Sequence, residues 1–189
     1  MIYVLLADGF EEIEALAPVD ILRRAGKTVK TVGITGAAVC GAHGISVQAD
    51  ILSEEANERI DLLILPGGMP GATNLDQSPA VDKLLNKAIE DGAHIGAICA
   101  APFILGKRGL LQGKEAICYP GFEDELLGAC VCSDKRVVTS GKFTTAVGMG
   151  AACEFGLALL AALGEQEKAT EIAEAAFLSM PNALACREQ

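Results

Sequence analysis

The sequence is short of the residues from which metal sites, disulfide frameworks and nucleic-acid interfaces are built. It carries two histidines, His43 and His94, and seven cysteines with no C-x-x-C spacing. Neither a tetrahedral zinc site nor a disulfide framework is favoured by that set. The 15 basic residues against 25 acidic ones leave a net charge of −10. The basic residues are scattered instead of forming a stripe, so no nucleic-acid partner is expected. The apolar stretch at residues 155–163 is far shorter than the roughly 20 residues of a membrane helix. The run at residues 2–7 has no basic lead-in and meets Asp8, Glu11 and Glu12 directly, unlike a signal peptide. A cytoplasmic protein without membrane contact is the expectation. Tryptophan is absent, and two tyrosines and six phenylalanines stand against 21 glycines, a balance that suits close packing of helices on a sheet and many tight turns.

What is present suffices for a core: 51% of the 189 residues are hydrophobic, and the length predicts one domain spanning residues 1–189. Residues 2–7, 28–34, 61–66 and 93–98 read as strands, the apolar runs among them as strands buried on both faces, and residues 116–119 as a further short strand. Residues 11–24, 80–89, 101–108, 123–127, 148–163 and 165–178 read as helices, with Pro18 predicting a kink or a late start in the first. Residues 38–49 form one hairpin, and residues 136–145, turning at Ser140-Gly141, a second. This alternation predicts an α/β fold: an open, mostly parallel sheet with helices on both faces. Ligands in such sheets bind at the carboxyl ends of strands near a switch in strand order, which singles out the loops 8–13, 66–73 and 99–103.

Cys99 falls at a sharp strand-to-helix turn. Gly96, Ala97, Ala100 and Ala101 are small enough for the turn to close, and Pro102 suits a first helical turn. Such a nucleophile elbow presents the sulfur to backbone amides and a helix N-terminus, which favour thiolate. Glu14 sits among Ile13, Ala15, Leu16 and Ala17; partial burial there would raise its pKa and retain a proton for the sulfur. Gly67 and Gly68 end a buried strand, where their amides could line an oxyanion site. A small core cysteine, helix-start acids and a plain tight turn are the competing readings of the same residues.

Four segments in register carry a resemblance: Asp8-Gly9-Phe10-Glu11-Glu12-Ile13-Glu14, Leu65-Pro66-Gly67-Gly68-Met69-Pro70-Gly71, Gly96-Ala97-Ile98-Cys99-Ala100-Ala101-Pro102, and residues 147–157. Together they resemble the successive motifs of the ThiJ/PfpI superfamily, specifically its DJ-1 branch. The resemblance implies a flavodoxin-like fold, a homodimer, an elbow cysteine at Cys99, a protonated glutamate at Glu14, and the backbone amides of Gly67 and Gly68 beside the thiolate. It implies no cofactor and no metal. Ala100 stands where PfpI-type peptidases place a histidine, and no histidine follows His94 as glutamine amidotransferases require; neither activity is expected. His94 lies about 16 Å down its strand from Cys99. Tyr119 stands where DJ-1 proteins often have a histidine beside the cysteine.

The other cysteines receive plainer readings. Cys118 borders the site and is either a resolving thiol or core. Cys130 and Cys132 share one face of an extended segment without further metal ligands, and Cys40, Cys153 and Cys186 carry no signal. His43 is read as structural or interfacial. Two functions follow from the resemblance. One is a cofactor-independent enzyme of the glyoxalase or deglycase kind, acting on small reactive carbonyls such as methylglyoxal or on their early adducts with damaged proteins. In it, Cys99 would add to the aldehyde, Glu14 would move protons, and the amides of Gly67, Gly68 and Ala100 would hold the oxyanion. The other is a non-enzymatic, redox-responsive stress protein or chaperone whose Cys99 oxidises.

Overall fold

The computed structural model describes residues 1–178. Its first strand, β1 (Ile2–Leu6), is buried along its whole length. Tyr3 and Leu5 face one helical layer, while Ile2, Val4 and Leu6 face the other, as the two-residue period of a doubly covered strand requires. In chain order there follow α1 (Glu12–Arg24), β2 (Val29–Gly33), the hairpin β3 (Ala38–Cys40) and β4 (Ser46–Gln48), β5 (Ile51–Leu52) and β6 (Leu62–Leu65). Then come α2 (Gly71–Asp76), α3 (Pro79–Glu90), β7 (His94–Ile98), α4 (Pro102–Lys107), β8 (Glu115–Ala116) and β9 (Cys130–Val131). The hairpin β10 (Val137–Ser140) and β11 (Phe143–Ala146) and the helices α5 (Ala152–Ala162) and α6 (Gln166–Ala175) complete the described chain.

Seven strands form the main sheet in the order β10-β11-β7-β6-β1-β2-β5. Every pairing is parallel except β10 with β11. The sheet is thus the flavodoxin-like, mostly parallel α/β arrangement expected. Helix α3 buries Val81, Leu84, Leu85 and Ala88 on one face, the i, i+3, i+4, i+7 stripe of an amphipathic helix. With α2 and α4 it covers one side of the sheet, and α1, α5 and α6 cover the other. The chain leaves β1 for β2 on one side and later returns to β6 on the other. The loops after β1 and β6 therefore diverge at the switch point, and β7, which ends at Cys99, lies next to β6.

Several local readings are corrected. Helix α1 starts at Glu12, well before Pro18, and runs through it; the start is held by the Glu11 side chain, which accepts the Glu14 N–H at 2.7 Å. Strand pairing at residues 116–119 stops after Ala116. The Ile117 N–H turns to the Thr145 hydroxyl and the Tyr119 N–H to the Cys99 carbonyl, so this stretch serves the site instead of a ladder. Residues 123–127 give a single 3₁₀ turn, Glu123–Glu125, and a second such turn, Met149–Ala151, precedes α5. Cys186 lies outside the described residues.

His94 begins β7 and is buried, with Nε2 2.8 Å from the Thr144 hydroxyl, which in turn meets the Thr139 hydroxyl at 2.9 Å. Burial, aided by the charge of Lys142, holds its pKa down at about 4. A neutral imidazole in the fold and an ordinary one in the unfolded chain have a signed consequence. Stability is unaffected above the unfolded value, falls as acid protonates the unfolded chain first, and levels off once the folded imidazole also titrates near 4. Denaturant titrations at pH 7 and pH 4 are expected to show His94→Gln losing about 3 kcal/mol less than the wild type over that interval.

Candidate active site

The switch point brings the loops after β1 and β6 into direct contact. The Glu11 N–H donates to the Gly67 carbonyl at 2.9 Å and the Gly71 N–H to the Gly9 carbonyl at 3.1 Å, while the Asn74 amide donates to the Asp8 carbonyl at 2.7 Å. Gly68 has φ 86°, a left-handed conformation, and a Cβ there would lie 2.3 Å from the Glu11 nitrogen. Glycine is required on both counts. Cys99 holds a left-handed φ of 64° although it is not glycine, a strained state maintained by its surroundings. Its N–H donates to the Ala146 carbonyl at 2.9 Å, and its carbonyl accepts from Tyr119 at 2.8 Å.

Glu14 is fully buried. It meets Cys99 over Gly67: the place a Cβ would take on that glycine is 2.5 Å from Glu14 Oε2 and 2.6 Å from Cys99 Cβ. The Gly67 N–H donates to Glu14 Oε2 at 3.1 Å. It is therefore on the carboxyl, whereas the sequence reading grouped it with the amides beside the sulfur. Gly68 and Ala100 are the residues whose amides face Cys99. Glu14 Oε1 is buried with no hydrogen-bond partner.

Burial pushes the Glu14 carboxyl up to about 7, opposed first by its hydrogen bonding with Cys99, further raised by the charge of Glu11, and lowered again by the amides of Gly67 and Met149. Burial, together with the Glu14 carboxylate, pushes the Cys99 thiol up to about 12 against the pull of the Gly68 and Ala100 amides. The elbow alone suggested an acidified thiol. What it could not show is the partly buried sulfur beside a carboxyl, at the head of a helix only six residues long. Two such groups titrate as one unit. The first proton leaves near 7 and the second near 12, so a single proton is shared between carboxyl and sulfur over the whole interval.

A family model described as the DJ-1/PfpI family matches residues 1–162. The chain belongs to the DJ-1/PfpI family. Among its DJ-1/PfpI relatives, Protein DJ-1 homolog B of Arabidopsis thaliana is 38% identical over 170 residues, 88% of this chain but 39% of the plant protein, so the chain spans well under half of that relative. A glutathione-independent glyoxalase of Caenorhabditis elegans is 33% identical over 164 residues, 86% of this chain and 87% of the relative. A deglycase of Pyrococcus abyssi is 31% identical over 147 residues, 76% of this chain and 87% of the relative. The structure of Toxoplasma gondii DJ-1, oxidised, matches with a TM-score of 0.86 at 37% identity, covering 94% of this chain and 98% of that one.

In this DJ-1/PfpI chain the remaining reactive residues divide by position. Cys118 is buried, and burial pushes its thiol up to about 11. Tyr119 is half-exposed, its ring against Gly148. His43 docks the β3–β4 hairpin on α1: its Nδ1 is 2.7 Å from Glu12 Oε2, and its N–H donates to Glu12 Oε1 at 2.8 Å. Burial alone would raise Glu12; these His43 bonds outweigh it and hold the carboxylate down. Glu11, Glu12 and His43 offer ligand atoms within 4.8 Å of one another, a geometry compatible with a divalent cation but already satisfied internally by hydrogen bonds. The sequence reading missed this cluster and the approach of the Met149 amide to Glu14. The first had a signal, since two acids in a row at a helix start leave one facing away from the cap.

Proposed function

We propose that the chain is a cysteine-dependent, cofactor-independent enzyme acting on small reactive carbonyls, of the glyoxalase or deglycase kind that two of its relatives are named for. The observation that carries the reading is the buried Glu14 carboxyl meeting Cys99 over Gly67; between about pH 7 and 12 the pair holds one proton. In the proposed reactive form, that proton is on the Glu14 carboxyl and the sulfur is the thiolate. A carboxylate buried as deeply as Glu14 is costly, and a negative sulfur has the pull of the Gly68 and Ala100 amides.

The chemistry follows from that placement. The Cys99 thiolate attacks an aldehyde carbon, an S–C bond forms, and the carbonyl π pair moves to oxygen. The amides of Gly68 and Ala100 stabilise the oxyanion until it takes the Glu14 proton, giving a hemithioacetal. Glu14 is left as a carboxylate able to accept the next proton. Tyr119, with no imidazole, leaves these transfers to Glu14. Homodimerisation in the cytoplasm belongs to the same proposal. Ile13 and Ile45 are exposed, and a second copy would cover them.

A second reading is favoured by the same donors. A hydroperoxide would convert the thiolate to a sulfenate and then a sulfinate, which protonated Glu14 and the two amides would hold; the Toxoplasma relative was captured oxidised. Steady-state methylglyoxal consumption separates the two. Many turnovers per wild-type chain and none in Cys99→Ser are expected. A mass gain at Cys99 with no turnover assigns the site to redox sensing.

A further inference from the structure

Three large apolar side chains on the loops that meet at Cys99 are about half-exposed: Met69 at 51%, Tyr119 at 52% and Met149 at 50%. The backbone of each is anchored at the site. Met69 follows Gly68, whose amide faces the sulfur. Tyr119 donates its N–H to the Cys99 carbonyl, and its ring lies against Gly148. Met149 presents its backbone amide to Glu14. They come from three different loops, so their common exposure describes a mouth and not a stretch of poorly packed chain.

Acids predominate at this mouth. Glu11 acts on Glu14, and Glu123 acts on Cys118 behind Tyr119. The cations nearest the loops are already engaged. Arg136 reaches the Gly150 carbonyl but its Nε donates to both oxygens of Glu154, at 2.9 and 3.1 Å, and His43 is held by Glu12. A carboxylate-bearing ligand would meet acids with no available counter-charge, while an apolar or aromatic substituent would find thioether and ring surface.

We propose that the mouth formed by Met69, Tyr119 and Met149 makes the site selective for uncharged carbonyl compounds with an apolar or aromatic substituent, and against 2-oxo acids. The substrate class rests on the carbonyl-addition reading; the selectivity itself does not, and is testable without turnover. Three maleimides with the same electrophilic double bond but an N-phenyl, N-ethyl or N-carboxyethyl group are reacted with the intact protein. Adduct at Cys99 is quantified by peptide mapping, and the rates are referred to the same series with glutathione.

Relative to glutathione, the phenyl reagent is expected to be favoured over the ethyl one by roughly fivefold and the carboxyethyl reagent disfavoured by about tenfold. Met149→Lys, at a half-exposed position, is expected to restore most of the carboxyethyl rate. Ratios equal to those of glutathione overturn the proposal even if methylglyoxal is turned over, as does failure of all three reagents to reach Cys99. Selectivity without methylglyoxal turnover supports the mouth and removes the catalytic reading instead.

Discussion

Replacing Glu14 with glutamine is expected to preserve the fold, move thiolate formation at Cys99 to higher pH, and slow methylglyoxal consumption about 100-fold or more. The wild-type carboxyl stands near 7 and the thiol near 12; on the proposed placement of the pair's remaining proton on the carboxyl, loss of the first proton creates the thiolate. Glutamine still offers an N–H to the sulfur but cannot release or accept a proton. The sulfur must then lose its own proton against burial, and a rise of about one pH unit is expected. The catalytic loss exceeds the titration effect because the variant fails both in protonating the oxyanion and in accepting the following proton.

Stability should move the other way. A carboxyl raised from 4.5 to about 7 in the fold favours the folded state fully below its unfolded value, and that advantage is lost as pH rises through 7. At pH 8 the glutamine variant should therefore be more stable than wild type, by about 3 kcal/mol. Thiolate absorbance against pH, in both proteins, decides the proton's place. If the thiolate appears at lower pH in Glu14→Gln, the wild-type carboxyl was ionised and the removed charge had been suppressing the thiol.

The parts of the fold legible in the sequence were those specified by local pattern. Residues 2–7, and 93–98 apart from His94, are apolar because both faces of a central strand are covered, and α3 shows its stripe because only one face is. Elements that exist only through their partners left no such trace. Strand β5 is two residues pairing with the end of β2, and α2 is a six-residue turn of helix opening on Gly71, too short to display a period. At the site, the burial of Glu14 followed from its apolar neighbours, and the distance of His94 from Cys99 followed from strand geometry. The direction of each amide did not. Whether the Gly67 N–H meets sulfur or carboxyl depends on how the loops after β1 and β6 interlock, a tertiary contact that a glycine pair in sequence leaves open. The thiol's upward shift was hidden for the same reason, since it comes from a carboxyl 85 positions earlier in the chain.

That interlock makes Gly67→Ala a severe test. Its added Cβ would sit 2.5 Å from Glu14 Oε2, 2.6 Å from Cys99 Cβ and 2.8 Å from the Ile98 carbonyl oxygen, so either the carboxyl or the strand end must shift. A cost of about 3 kcal/mol in denaturant titration is expected, with Cys99 alkylation altered as the shared proton loses its geometry. Gly92→Ala is the control: its φ is 69° with nothing within 4 Å of an added Cβ, so only backbone strain of about 1–2 kcal/mol applies. The two glycines thus separate the need for space from the need for a left-handed turn. If the cost at Gly67 does not exceed that at Gly92, the contact of Glu14 with Cys99 is looser than described. The Glu14→Ala background sharpens the test, because removing the carboxyl opens room for the methyl. There the Gly67→Ala penalty should shrink by about 1 kcal/mol or more. Strictly additive penalties would instead place the conflict at the Ile98 carbonyl and leave the carboxyl free to move aside.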